Sequence, residues 1–288
     1  MDLWLLLPGA LLTVAALVAP RATGRLHPAT AVRIITVAAS AAAVTAAAWV
    51  LLVVSGLALE AGPHGGQHST VGRVVMSHEP VPGAMAAAVI VWLTIAAGRL
   101  AHARRATILV RRAVPGSRGV VVADGLGVVA LAIPGRRARI VISRETVVRC
   151  TPGETAVVVA HEWSHLQRRH GWYAAAVRVA SIACPWLKAA DRHVTFLLER
   201  WADEDAAASV GDRNLVARTI AKLALIGRTP DGVLAFAGGD AVARTKAMLA
   251  PAPAPPRLAD RLTVAGASAA ATGLAGSSLQ LHHVLAAF

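Results

Sequence analysis

The sequence predicts a mainly α-helical, multi-pass membrane protein with a small β-hairpin segment and a helical domain on the cytoplasmic side of the membrane. Two observations predict this class. The 288-residue chain is 56% hydrophobic and only 16% charged, which excludes both a simple water-soluble globule and an intrinsically disordered chain. Its apolar residues also form a few long stretches without formal charge, and most are close to the roughly 20 helical residues that cross a bilayer.

Three uncharged stretches lie in the N-terminal third of the sequence, and a fourth lies at its end. They are Leu3–Pro20, Ile34–Leu59, Val81–Gly98 and Leu262–Phe288. The first could instead be a secretory signal peptide, but it has no basic leader and further apolar stretches follow it. We therefore predict three transmembrane helices within residues 1–98, a membrane-proximal domain over residues 99–261, and a C-terminal transmembrane helix over residues 262–288.

The distribution of charge predicts the orientation in the membrane. The net charge is +13, and residues 99–261 hold 25 of the 29 Lys and Arg residues but only 13 of the 16 acidic residues. Because basic loops stay in the cytoplasm, we expect the N-terminus outside and residues 99–261 in the cytoplasm. This basic domain should contact anionic lipid of the inner leaflet. Nucleic-acid binding would use the same positive charge. However, no DNA-reading motif is recognisable, so no direct nucleic-acid contact is expected.

Residues 106–148 contain short β-branched runs separated by turn residues, which predict strands. The runs are Thr107–Val110, Gly119–Val122, Val128–Ile133 and Arg139–Ser143. Pro134 and Gly135 form a turn signal between the last two, so these strands should pair as a hairpin. The edge of this hairpin could accept an extended peptide, or the hairpin could only pack against a helix.

A helix start follows the strands. Thr151 can cap the helix, Pro152 suits the first helical position, and Glu154 completes a capping box three residues after the cap. The helix should run to Gly171. Two cysteines, Cys150 and Cys184, are too few for a disulfide scaffold or a cysteine-based metal knuckle, and they are interpreted as structural thiols.

This helix carries the pattern HExxH at residues 161–165. Residues at i and i+4 share one helix face, so His161 and His165 can reach one zinc ion while Glu162 approaches the water on it. The alternative is a core helix with two unrelated histidines. That alternative is weakened by the apolar run Ala156–Ala160, because charged and imidazole groups buried directly after it need a metal or other partners.

A catalytic zinc ion needs a third protein ligand and one open position. Glu199 can supply that ligand from a second helix, and Asp203, one turn later, can accept a ring N–H from a ligating histidine. Competing donors are Glu204, Asp205, His170 and His193. Helix geometry directs Glu204 and Asp205 away from Glu199, and every carboxylate here could instead be a solvated charge.

HExxH followed by ExxAD at residues 199–203 resembles the membrane-embedded gluzincin metallopeptidases, of both the HtpX and CAAX-protease type and the BlaR/MecR antibiotic-sensing type. The BlaR-like layout is the closer match, with three N-terminal spans, a short β segment, Pro185-Trp186, the segment Val242–Leu249 and a last span. The resemblance implies a zincin-like fold for the cytoplasmic-side domain. No penicillin-binding sensor sequence follows the last apolar stretch, so direct β-lactam sensing is not expected.

The resemblance implies a role for each site residue. His161, His165 and Glu199 would bind one Zn²⁺ per chain, Glu162 would be the catalytic base, and Asp203 would support a ligand from outside the coordination sphere. Arg244 is a candidate for stabilising the oxyanion, with pairing to Asp203 or to lipid phosphate as its alternative.

These roles predict a membrane-bound zinc metalloendopeptidase that acts on a cytoplasmic or membrane-proximal polypeptide. The resemblance suggests a regulatory circuit with a BlaI-type repressor as the substrate. The alternatives are HtpX-like quality control of membrane proteins and a non-proteolytic signalling protein that keeps the zinc site. The oligomeric state is not predicted.

The apolar stretch Gly171–Leu187 is not interpreted as a span. If His165 and Glu199 share an ion, both ends of this stretch lie on one side of the membrane, and crossing twice would take roughly 40 residues. Arg178 at its centre would also be costly in lipid. We expect a helix that is buried or lies in the membrane interface and that Pro185 ends.

Overall fold

The computed structural model describes residues 7–22, 26–60, 119–124, 130–135, 138–226, 238–254 and 264–266, together with parts of 90–105. Over these residues the protein is mostly helical with one small sheet, as predicted. The N-terminal helices are α1 (Leu7–Ala22) and α2 (Pro28–Glu60), which pack against each other. The later elements form the sheet and a group of helices around the HExxH motif.

One described helix is long and apolar enough to cross a membrane. The candidate span within α2 is Pro28–Ala47, and half of its apolar window is buried inside the protein. The first stretch forms the 16-residue α1, and the third is described only in part, as a short apolar helix at Ile90–Arg99. The fourth lies outside the described residues except for 264–266. The multi-pass arrangement therefore stays a prediction.

The start of α2 differs from the sequence-based boundary, which placed Arg33 in a loop. Pro28 occupies the first turn, where its missing N–H costs nothing, and the His27 ring accepts a hydrogen bond from the Ala29 amide. Helix α2 thus begins six residues before Ile34. Arg33 then faces inward, with its guanidinium 5.2 Å from the ring centre of Trp201.

The sheet has three strands, β1 (Gly119–Ala123), β2 (Ala130–Ile133) and β3 (Arg139–Ser143), in the order β1-β3-β2. The predicted hairpin is confirmed, because β2 and β3 pair antiparallel on either side of the Pro134-Gly135 turn. Strand β1 pairs in parallel with β3. The central strand β3 is fully buried, and β2 lies at one edge of the sheet that the described residues form. The predicted strand Thr107–Val110 lies outside the described residues.

A short helix α3 (Arg144–Arg149) leads to α4 (Pro152–Gln167). The capping box at the start of α4 is confirmed: the Thr151 amide donates to the Glu154 carboxylate at 2.8 Å, and the Glu154 amide donates to the Thr151 hydroxyl at 3.3 Å. The predicted end at Gly171 was wrong. Arg169 has a left-handed backbone (φ 55), which ends the helix as a glycine would and turns the chain.

Four more helices follow, α5 (His170–Ala183), α6 (Lys188–Val210), α7 (Arg213–Ile226) and α8 (Gly238–Leu249), with a single 3-10 turn at Pro185–Leu187 between α5 and α6. Helix α5 fits the predicted form: Val177 and Ala180 are buried against α2 and α6, whereas Trp172 is exposed. Helix α6 packs along α4, α5 and α2. This central position of α6 brings its ExxAD segment beside the HExxH segment of α4.

Candidate metal centre

Two helices bring the three predicted zinc ligands together. His161 and His165 lie on successive turns of α4, and Glu199 lies on α6. His161 Nε2 is 3.1 Å from His165 Nε2, and the carboxylate oxygens of Glu199 are 3.3 Å and 3.4 Å from these two nitrogens. Across the described part of the chain, this is the one group of three or more His, Cys, Asp or Glu donors close enough to share an ion.

The distances fit one tetrahedral zinc ion. Ligand atoms about 2.0–2.1 Å from such an ion lie roughly 3.3 Å from one another. The two ring nitrogens, and each nitrogen and its nearer Glu199 oxygen, are close to this spacing. Glu199 Oε2 is buried, yet it makes no hydrogen bond of normal geometry with any residue that the structure describes. Two imidazoles and one carboxylate also form a donor set of catalytic zinc sites, which keep the fourth position open.

Helix α8 supplies a buried cation behind this group. The Arg244 guanidinium donates two hydrogen bonds to the Asp203 carboxylate, at 2.7 Å and 2.8 Å, and Arg244 Nη1 lies 3.0 Å from Glu199 Oε2. Asp203 Oδ1 is in turn 3.0 Å from His161 Nδ1. These contacts match the alternative predicted for Arg244, in which its side chain pairs with Asp203. A role for Arg244 in stabilising the oxyanion stays a prediction.

Glu162 is buried next to the three ligands. Its side chain accepts a hydrogen bond from the backbone amide of Ala132 in β2. Burial raises the pKa of the Glu162 carboxyl above its ordinary value, while the charge of His161 and the Ala132 amide act in the opposite direction. A carboxylate with a raised pKa in this position is suited to accept and return a proton.

In the metal-free site, His161 is the histidine ligand whose pKa favours the charged form. Burial disfavours a charged His161, but the nearby carboxylates of Asp203 and Glu199 outweigh burial and raise the pKa of His161 to about 10. Burial, followed by the charge of His161, lowers the pKa of His165 to about 4. Burial also opposes ionisation of Glu199, but contacts with His161 and Arg244 lower the pKa of its carboxyl. At neutral pH, Glu199 is therefore charged and His165 neutral, as metal ligands must be.

Zinc affinity should rise with pH. A zinc ion must displace the proton of His161, so raising the pH removes a competitor, and the dissociation constant should fall about tenfold per pH unit between about pH 4 and about pH 10. Competition titrations against a chelator, corrected for the chelator's own protonation, measure this slope. An affinity that does not change with pH would contradict this distribution of protons.

The competing carboxylates are held by other partners. Glu204 forms ion pairs with Arg200 and Arg213. Asp205 accepts hydrogen bonds from the Ser164 hydroxyl at 2.7 Å and from Arg168 Nε at 2.9 Å. These contacts link α4, α6 and α7 around the site, so both carboxylates help to hold the helices that carry the ligands.

The two competing histidines have different positions. His193 lies on α6 beside the ring of Phe196, whereas His170 is buried and its Nδ1 lies 3.0 Å from His165 Nδ1. Burial, with His165 next, lowers the pKa of His170 to about 3, so its ring is neutral. Sequence reasoning considered His170 only as a competing ligand and did not identify the Ala132 amide, which has no side-chain signal.

The model of Peptidase family M48 matches residues 114–195, a range that contains the sheet and both histidine ligands and ends before Glu199. No curated protein and no solved structure matches the chain significantly. Members of this family are typically zinc-dependent metallopeptidases. The match covers less than a third of the chain, and over this range the chain is similar to a metallopeptidase family.

Proposed function

We propose that the protein is a membrane-bound zinc metalloendopeptidase that hydrolyses peptide bonds of a cytoplasmic or membrane-proximal protein. One observation carries this proposal. The Nε2 atoms of His161 and His165 are 3.1 Å apart, and each lies 3.3 Å or 3.4 Å from one of the two Glu199 oxygens. The buried carboxylate of Glu162 is adjacent to His161 on the same helix. This combination supports hydrolysis, whereas a purely structural zinc site needs no neighbouring base.

Different residues of the chain have separate roles in the proposed peptide hydrolysis. His161, His165 and Glu199 would hold a zinc ion, which would polarise the scissile carbonyl as a Lewis acid and lower the pKa of a bound water. The Glu162 carboxylate accepts a proton from the attacking water as the carbon–oxygen bond forms, and it delivers a proton to the leaving nitrogen as the carbon–nitrogen bond breaks. The Ala132 amide keeps the Glu162 carboxylate in place.

The edge of the sheet supports an extended polypeptide as the substrate. Among the residues that the structure describes, β2 pairs with β3 on one side only, and the Ala132 amide points from β2 to Glu162. The other edge of β2 therefore faces α4. A peptide that adds to this edge through main-chain hydrogen bonds would lie beside the base and the metal ligands.

Association with an anionic membrane is supported by α2 and by the surface of α5. Trp172 and Trp186 expose 76% and 52% of their surface, and Arg169 and Lys188 are exposed close to them in sequence. Tryptophan favours the membrane interface, and basic side chains favour anionic lipid. We extend the proposal to a cytoplasmic-side location, because residues 99–261 hold most of the basic residues. By resemblance alone, we extend it to a BlaI-type repressor as the substrate in a regulatory circuit.

The function is tested with the full-length protein in native membranes. After alkaline carbonate extraction, the protein should remain in the membrane pellet and should cleave members of a quenched fluorescent peptide library. A chelator should abolish this cleavage, because it removes the zinc ion from its three ligands. Added zinc should rebind there and restore the cleavage. Release into the carbonate supernatant would contradict the membrane proposal, and cleavage that resists the chelator would contradict the metallopeptidase proposal.

A further inference from the structure

The two zinc-ligand histidines have matching outer contacts. In each ring, Nε2 faces the position that one metal ion would occupy, and Nδ1 faces away from it. His161 Nδ1 is 3.0 Å from the Asp203 carboxylate, and His165 Nδ1 is 3.0 Å from His170 Nδ1. His170 therefore occupies, for His165, the place that Asp203 occupies for His161.

The chemistry of a ligating imidazole determines the proton in this second contact. When the Nε2 lone pair of His165 binds a metal ion, the ring proton is on Nδ1, and that N–H needs an acceptor. The one ring atom of His170 within hydrogen-bond distance is its Nδ1. His170 Nδ1 must then accept, and the proton of the neutral His170 ring is on Nε2.

The fold fixes the His170 ring in this position. His170 is 2% exposed and begins α5, directly after the left-handed Arg169. Its ring centre is 4.7 Å from that of Trp201 on α6, and Arg33 of α2 contacts the same indole. His170 Nε2 has no hydrogen-bond partner among the residues that the structure describes. The Nδ1 contact with His165 is thus the polar interaction that orients this ring within the described part of the chain.

We propose that His170 is a positioning residue that accepts the Nδ1–H of His165, fixes the tautomer and rotation of that ligand, and thereby sets the affinity of the site for zinc. The proposal deepens the zinc metallopeptidase function and rests on its metal site. His170 does not bind the ion, because its Nδ1 faces the outer nitrogen of His165.

Two variants of the full-length protein separate the hydrogen bond from the packing. His170→Phe keeps a ring against Trp201 but removes the acceptor, whereas His170→Asn places an amide oxygen close to the position of Nδ1. The zinc dissociation constant, measured by chelator competition, should rise about 10–100-fold for His170→Phe. For His170→Asn it should stay close to that of the wild type.

The control is His193→Phe, the same substitution at a partly buried histidine of α6 that contacts Phe196 and no metal ligand in the described structure. Its zinc affinity should equal that of the wild type. Thermal melting of the zinc-free variants shows whether each one folds. A folded His170→Phe that binds zinc as tightly as the wild type would overturn the proposal, as would a folded His170→Asn that binds as weakly as His170→Phe.

A measurement on the unchanged protein gives an independent test. In the zinc-loaded protein labelled with ¹⁵N-histidine, NMR should show a proton on Nδ1 of His165 and a proton on Nε2 alone of His170. A proton on His170 Nδ1 would overturn the proposal. If the wild type binds no zinc, the proposed function fails as well; if it binds zinc and cleaves peptides but His170 shows the other tautomer, the role of His170 alone fails.

Discussion

Glu162→Gln should lower kcat for peptide hydrolysis by about 10²–10⁴-fold and leave the zinc content unchanged. The substitution keeps the size and the polarity of the buried side chain but removes the carboxylate that accepts and returns the proton. Glutamine can still accept the hydrogen bond of the Ala132 amide, so the local fold should persist. The rate of cleavage of a fluorescent peptide, together with metal analysis of the same preparation, measures both effects.

The matched control for this substitution is Glu154→Gln, on the first turn of the same helix. Glutamine is also compatible with a capping box, and Glu154 contacts Thr151 and Lys222 and no ligand, so activity should stay near the wild-type value. The comparison also separates a peptidase from a signalling protein that only keeps a zinc fold. Normal turnover by Glu162→Gln would show that Glu162 is not the base.

Asp203→Ala should both destabilise the protein and weaken zinc binding. The substitution removes the carboxylate that accepts two hydrogen bonds from the buried Arg244 guanidinium, and breaking a buried ion pair costs about 3–5 kcal/mol of unfolding free energy. It also removes the acceptor at His161 Nδ1. Denaturation of the zinc-free protein in detergent measures the first effect, and chelator competition measures the second.

The control pair is Asp124 and Arg144, which make the same type of contact at 2.5 Å with both side chains mostly exposed. Asp124→Ala should leave the unfolding midpoint near that of the wild type, because solvent screens the exposed pair. In the double variant Asp203→Ala/Arg244→Met, the buried charge is gone, so the loss of stability should be smaller than the sum of the two single losses. Additive losses would show that Asp203 and Arg244 do not stabilise each other.

Local patterns in the sequence predicted the elements that depend on neighbouring residues. The capping box at Thr151 and the hairpin turn at Pro134 are set by a few adjacent side chains, and the structure confirms both. The pairing of His161 with His165 follows from the i, i+4 geometry of one helix. The approach of Glu199 depends on how α4 packs against α6, and a pattern resemblance rather than local geometry identified it.

Contacts made by a change in backbone direction were not predictable in this way. In a continuous helix, His170 would lie roughly 140° around the axis from His165, too far round for their rings to meet. The left-handed Arg169 ends α4 and brings His170 back to His165. Arg169 is neither glycine nor asparagine, so no residue type marked this turn. The sequence also did not determine the partner of Arg244, because its charge alone fits either Asp203 or lipid phosphate.

Zinc analysis of the purified wild type beside Glu199→Ala tests the central claim most directly. Asp191→Ala, the matched control, removes a carboxylate of the same helix that pairs with the exposed Arg178. The wild type and Asp191→Ala should each carry about one zinc ion per chain, and Glu199→Ala should lose it, because two imidazoles remain without their third ligand. Full zinc content in a folded Glu199→Ala would contradict an ion shared by His161, His165 and Glu199.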